Sequence, residues 1–305
     1  MMNFLIQLMN GLEMGSIYVL VALGYTMVYG IVKLINFAHG DIIMVGGYFL
    51  LTAATLWGMP IWVAVIFTII ACAVLGIVIE KVAYKPLRNS ARISSLITAI
   101  GVSLFLQNLF MLIYKPDPRT PPKVFSSMLN RMFGKDKLTI YVNGDIPYDI
   151  SYTTLLTIIV SVIIMLGLHF FVKKTKVGKA MLAVSEDAGA AQLMGISVNT
   201  IISVTFAIGS ALAAVGAIFY TSIVPQVSAD MGSMLGLKAF VAAVLGGIGI
   251  IPGAMIGGLI MGVAESLTRA YISSNLSDAI VFGILILVLL VKPSGILGKN
   301  VKEKV

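Results

Sequence analysis

Residues 42–79 read IIMVGGYFLLTAATLWGMPIWVAVIFTIIACAVLGIVI, a run without one charged side chain. A helix crosses a bilayer with about 20 apolar residues, so this run is too long for one span and right for two. Trp57-Gly-Met-Pro60 supplies the turn between them. Met14–Val32, Ile93–Tyr114, Ile150–Val172, Ile196–Ala229 and Ala239–Ala264 are further uncharged runs of spanning length. Ala279–Val291 is shorter, and its span takes in Asp278 or residues just before it. One such run could be the core helix of a soluble domain; this many cannot. The composition agrees: 59% hydrophobic and 11% charged, with mean hydropathy +1.02. The expected fold is all-α, a polytopic integral membrane helical bundle with about eight long spans and one short Gly/Pro-broken crossing. Residues 1–305 form a single transmembrane domain on this reading.

Charge distribution orients the spans. Segments 80–92, 173–187 and 292–305 together hold twelve of the 21 lysines and arginines, which marks them as cytoplasmic. A net charge of +8 therefore reports topology and not nucleic-acid binding. The parity that follows makes residues 115–149 an external loop, with Pro116, Pro118, Pro121, Pro122 and Asn143-Gly144 suggesting turns and a small hairpin. Residues 173–198 become a cytoplasmic loop. No basic residue precedes Lys33, so the first span itself is expected to direct insertion. The single Cys72 lies in an apolar run and supports no disulfide framework.

Within the cytoplasmic loop, Ser185 reads as a helix N-cap with Glu186 and Asp187 in the first turn, and Gly195 as the C-terminal stop. Ala180, Val184, Ala188, Ala191 and Gly195 fall at helical spacing and would form one smooth face for docking into a groove on another protein. In the second half, Gly246, Gly247, Gly249, Gly253, Gly257, Gly258 and Gly262 bracket Pro252. Spacings of four suit close helix packing. The Gly-Ile-Gly-Ile-Ile-Pro-Gly core is poor helix, and unwound backbone at membrane depth points to a translocation path. Residues 236–250 either cross or form a re-entrant segment; the crossing keeps the basic tail inside. Asn36, His39 and Asp41 cluster after Lys33, where they serve as interfacial caps or as gating or partner contacts. Gln107 and Asn108 are polar at membrane depth, binding a neighbouring helix or lining the path. Glu13, Lys238 and Glu265 are the other ionisable residues within spans, and such charges must face protein or water.

Chemistry is not expected of this chain. It has no Gly-x-x-x-x-Gly-Lys-Ser/Thr phosphate loop, no catalytic triad pattern and no metal-ligand spacing, and no cofactor is expected.

The stretch Gly178-Lys-Ala…Ser-Glu-Asp-Ala…Gly-Ile196 resembles the "EAA" loop of bacterial ABC importer permeases. With Asn36-Phe-Ala-His-Gly-Asp41 and Ala243-Val-Leu-Gly-Gly-Ile-Gly-Ile-Ile-Pro-Gly-Ala-Met-Ile-Gly-Gly258 it resembles the branched-chain amino acid permeases, specifically the shorter of their two permease subunits. The acidic pair is Glu-Asp where the general importer signature has Glu-Ala. The resemblance implies a permease in a bacterial cytoplasmic (inner) membrane. Its implied partners are separate ATP-binding cassette ATPase subunits, a second permease (identical or related) and a periplasmic substrate-binding protein. Leucine, isoleucine and valine are the implied substrates, with other amino acids, urea or amides as alternatives. It also implies ATPase coupling through Ser185, Glu186, Asp187, Ala188, Ala191 and Gly195. The expected path is drawn from Asn36, His39, Gly246, Gly247, Gly249 and Gly253. An ion-coupled secondary transporter is the competing class, with Glu265 as its coupling residue.

Overall fold

A computed structural model describes residues 2–88, 90–122, 124–125, 137–142 and 146–298. Its helices are α1 (Met2–Val32), α2 (His39–Leu51), α3 (Ile61–Ile79), α4 (Arg92–Tyr114), α5 (Tyr152–Lys174), α6 (Lys176–Glu186), α7 (Ala188–Leu193), α8 (Val198–Ile223), α9 (Met231–Gly246), α10 (Ile251–Tyr271) and α11 (Ser277–Val291). Single π-helical turns extend α2 through Thr52–Leu56 and α3 through Glu80–Tyr84. Eight helices are long and apolar enough to cross a membrane, and α9 is a shorter apolar helix. That matches the expected eight plus one. In the loop expected to be external, strands β1 (Lys137–Val142) and β2 (Ile146–Ser151) pair antiparallel as the expected hairpin. Its Asn143-Gly144 turn lies outside the described residues.

Helix α1 is the axis, packed against α8, α9 and α10 and buried along most of its length. Helices α3, α4, α5 and α11 form the outer ring, turning side chains such as Ile66, Ile70, Leu112 and Leu290 outward. Glycine spacing explains how α1 and α10 come so close. A methyl on Gly11 would lie 2.7 Å from the backbone of Val263, and one on Gly15 would lie 2.9 Å from the Gly258 carbonyl. Van der Waals contact between backbones replaces the hydrophobic drive that lipid cannot supply.

Loop contacts sort the helix ends onto two faces. On one, Arg88 Nη1 donates to Asn199 Oδ1 (2.6 Å), Gly249 packs on Gly30 near the end of α1, and the Ile296 amide donates to the Leu245 carbonyl (2.9 Å). This face carries the basic segments, which the charge distribution assigns to the cytoplasmic side. On the other, Arg119 and Val227 exchange backbone hydrogen bonds (2.9 and 2.8 Å), and Thr52 bonds Tyr114. Helix α9 starts from the second face and ends at the first. That run from face to face is the course of a crossing and not of a re-entrant segment. Sixteen residues make about 24 Å of helix, short of the roughly 30 Å hydrocarbon core; the non-helical connection before Met231 makes up the rest.

Three expectations need correction. The Gly/Pro break is not at mid-membrane: Gly247 (φ +107°) and Gly249 (φ +92°) form a turn at the cytoplasmic end of α9 and α10, reached by the tail at Leu245 and Gly246. Tight turns recruit glycine for positive φ, so the glycines mark a real break in the helix, at the end of the bundle and not at its middle. Asn36, His39 and Asp41 do not cap a helix at the interface either. The chain runs non-helically from Lys33 to Ala38, and α2 begins with His39 buried against Gly24, about two turns in from the end of α1. Finally, the cytoplasmic loop holds two helices and not one, with consequences for its caps and its face.

Candidate functional site

Two loci carry the expected functional residues, one on the cytoplasmic face and one inside the bundle.

The cytoplasmic locus is α6 and α7. Thr175 caps α6, its hydroxyl accepting from the Gly178 amide (3.0 Å). The expected N-cap Ser185 lies instead in the last turn of α6, where its hydroxyl donates to the Leu182 carbonyl (2.7 Å). Asp187 takes the capping role: at φ −153° it breaks the helix, and its carboxylate accepts from the Ala190 amide (2.9 Å) to start α7. Both residues are good caps by type, and the apolar spacing on either side could not separate them. Gly195 is the left-handed stop as expected (φ +80°).

The expected smooth face is not presented as one surface. Val184 and Ala191 are buried within the chain, whereas Glu186, Asp187, Ala188 and Gly195 are exposed. What projects is a pair the sequence reading did not select: Leu193 is 90% exposed and Met194 82%. Two large apolar side chains at the tip of a capped turn form an exposed anchor of the kind that marks a protein contact. Their signal was available as apolar residues directly before a stop glycine. The turn is braced from behind by Glu80, also passed over. Fully buried, Glu80 pairs with Arg88 and accepts from Ser203 Oγ (2.6 Å), while Arg88 reaches Asn199. A cavity of about 430 Å³ lies between this brace and Gln192–Asn199.

The interior locus is the start of α2. Gly40 lies on Gly232 and Gly236 of α9: a methyl on Gly40 would sit 3.0 Å from the Gly236 Cα, and one on Gly236 would sit 2.6 Å from the Gly40 Cα. Two helix beginnings thus meet backbone to backbone inside the bundle. Side chains reinforce the junction. Gln107 Nε2 donates to Asp41 Oδ1 (2.8 Å) and to Ser233 Oγ (2.9 Å), tying α4 to both. Tyr84 donates to Asn36 Oδ1 (2.8 Å), and the His39 ring meets Tyr25 edge-on at 4.6 Å. Gln107 thus binds its neighbours, while Asn108 turns outward and bonds only the Leu104 carbonyl of its own helix. The expected path residues are not brought together. Asn36 and His39 belong to this junction, whereas Gly246 and Gly253 pack on each other at the cytoplasmic turn.

Of the remaining charges, Glu13 stands apart and accepts from Thr154 Oγ1 (2.7 Å), while Lys238 and Glu265 belong to a third group. Glu265 accepts from Tyr18 and from Lys238 Nζ (2.7 Å) and pairs with Arg269. Lys238 also pairs with Asp278 (2.7 Å). The network staples α1, α9, α10 and α11 and balances its own charge. Among the described residues there is no cluster of three or more potential metal ligands.

Comparisons with known proteins fit this architecture. The family model described as "Branched-chain amino acid transport system / permease component" matches residues 7–289. The chain is similar to the high-affinity branched-chain amino acid transport system permease protein BraD of Pseudomonas aeruginosa, with 44% identity over 99% of this chain and 98% of the relative. It is also similar to the corresponding permease protein LivH of Escherichia coli K12, at 42% identity over the same shares. A probable branched-chain amino acid transport permease of Methanocaldococcus jannaschii is 30% identical over 94% of this chain and 90% of its own length. No solved structure matches. The eight spanning helices, the ninth short crossing, the capped cytoplasmic turn and these end-to-end matches converge: the chain belongs to the family of branched-chain amino acid transport system permease components.

Proposed function

We propose that this chain is a permease subunit of an ATP-binding cassette importer, forming a path for leucine, isoleucine and valine across a bacterial cytoplasmic membrane. Separate ATPase subunits dock on the α6–α7 turn and hydrolyse the ATP, a second permease chain completes the path, and a periplasmic binding protein delivers substrate. The observation that carries this reading is the apolar tip Leu193–Met194, held out on the cytoplasmic side by the Asp187 cap and the Gly195 stop. An ion-coupled carrier needs a carboxylate free to take up and release its ion, whereas Glu265 already has three partners in Tyr18, Lys238 and Arg269. The substrate class is that of the similar permeases BraD and LivH.

The test is leucine uptake into proteoliposomes containing both permeases, the ATPases and the binding protein. Uptake is expected with ATP supplied on the ATPase side and absent with a proton or sodium gradient alone. Gradient-driven uptake without ATP would overturn the proposal.

A further inference from the structure

We infer that a cavity on the external side, between α1, the end of α8 and the start of α9, is the first station for the amino acid inside this chain. The inference rests on the branched-chain reading above and adds to it a place and a chemistry. The cavity measures about 460 Å³, within the roughly 300–1,000 Å³ usual for small-molecule sites. It is external because the connection that forms part of its wall, residues 224–230, is hydrogen-bonded at Val227 to Arg119 of the external loop.

Its lining divides by chemistry. One part is apolar and adaptable: Met14, Met231, Met234, Val224 and Leu235. Methionine's unbranched, polarisable side chain moulds itself to varied apolar shapes, which suits substrates that differ in branch position and, for valine, in length. The other part is charged. Asp230 is exposed, precedes α9 without capping it, and makes no ion pair among the described residues. Arg269 is 48% exposed and bonds only Glu265 among the described residues, leaving most of its five donors unused. Tyr220 lies within electrostatic reach of both Asp230 and Arg269. An unpaired carboxylate, an under-used guanidinium and three methionines in one lining match a zwitterion with an apolar side chain. The ammonium goes to Asp230, the carboxylate to Arg269 and the Tyr220 hydroxyl, and the side chain to the methionines. Lys238 lines the cavity too, but it pairs with both Glu265 and Asp278, whereas Arg269 has only Glu265 among the described residues.

The test uses right-side-out membrane vesicles carrying the complete transporter, with Met234→Cys in a Cys72→Ser background. A membrane-impermeant thiol reagent added outside is expected to label this cysteine. Leucine, isoleucine or valine at ten times its dissociation constant should slow that labelling about tenfold by simple occupancy, and glutamate or lysine should not. Adding Asp230→Asn removes a charged partner and should weaken leucine's protection about tenfold. Labelling that leucine leaves unchanged, no labelling at all, or undiminished protection in Asp230→Asn would each overturn the inference. If those results come from vesicles that still import leucine with ATP, the station is wrong and the permease reading stands. If the parent transporter imports no leucine, the permease reading itself fails.

Discussion

Replacing Gly40 by leucine is expected to abolish transport and to cut the yield of folded protein severely. Gly40 starts α2 where it crosses α9, and the atoms a new side chain would meet are the backbone of Gly232 and Gly236. Overpacking a core typically costs 1–3 kcal/mol when side chains can yield; here the obstacle is helix backbone, so the helices must part. Parting them also stretches the Gln107 bridge to Asp41 and Ser233. Gly101 provides the control, since nothing lies within 4 Å of a methyl placed there. Monodisperse protein recovered after solubilisation should fall several-fold for Gly40→Leu, as stability losses of about 1–2 kcal/mol already do to abundance, and stay at the parental level for Gly101→Leu. Equal recovery and uptake for the two variants would show that the α2–α9 junction is not tightly packed.

Glu265→Ala should be the other severe change. Glu265 is the shared partner of Tyr18, Lys238 and Arg269, and removing one member of a buried ion pair costs about 3–5 kcal/mol because the other charge stays buried. Asp278 still offsets Lys238, but at 41% exposure it is a more solvated partner. At the slope usual for chains of 150–250 residues, the apparent Tm in detergent should drop on the order of 10 °C. Glu265→Gln keeps an acceptor for Tyr18 and should lose less. A further distinction follows: if Glu265 only staples helices, the Glu265→Gln transporter remains strictly ATP-driven, whereas an ion-coupling role would change its ion dependence.

The bundle was legible in the sequence because lipid imposes a length and a polarity on each span, and these leave uncharged runs such as Ile42–Ile79. Direction is read from lysines such as Lys173, Lys174, Lys176 and Lys179, which mark one face of the bundle as cytoplasmic by charge alone. Depth was harder to read. Positive-φ glycine and close-packing glycine look alike in sequence, so Gly247 and Gly249 in a turn could not be told from Gly40, Gly232 and Gly236, which hold two helices together. Asn36 and His39 adjoin Lys33 in the chain, and only the non-helical stretch to Ala38 carries them inward. Ser185 and Asp187 are equally apt caps, and tertiary packing of Val184 and Ala191 decided between them. Leu193 and Met194 were overlooked because the spacing of small residues drew the reading to Ala188 and Ala191.

The account stands or falls on the cytoplasmic turn as the point of ATPase contact, and one measurement addresses it directly: co-purification of the ATPase with the Leu193→Ala, Met194→Ala double variant, alongside ATP-driven leucine uptake. Both side chains project from a surface turn and no spanning helix is altered, so insertion and yield should match the parent. If they anchor the ATPase, removing them should cost about 2 kcal/mol or more, roughly a thirtyfold loss of affinity or greater, and ATPase and uptake should fall together. A double variant that retains its ATPase and imports leucine at the parental rate would show that coupling runs through some other surface.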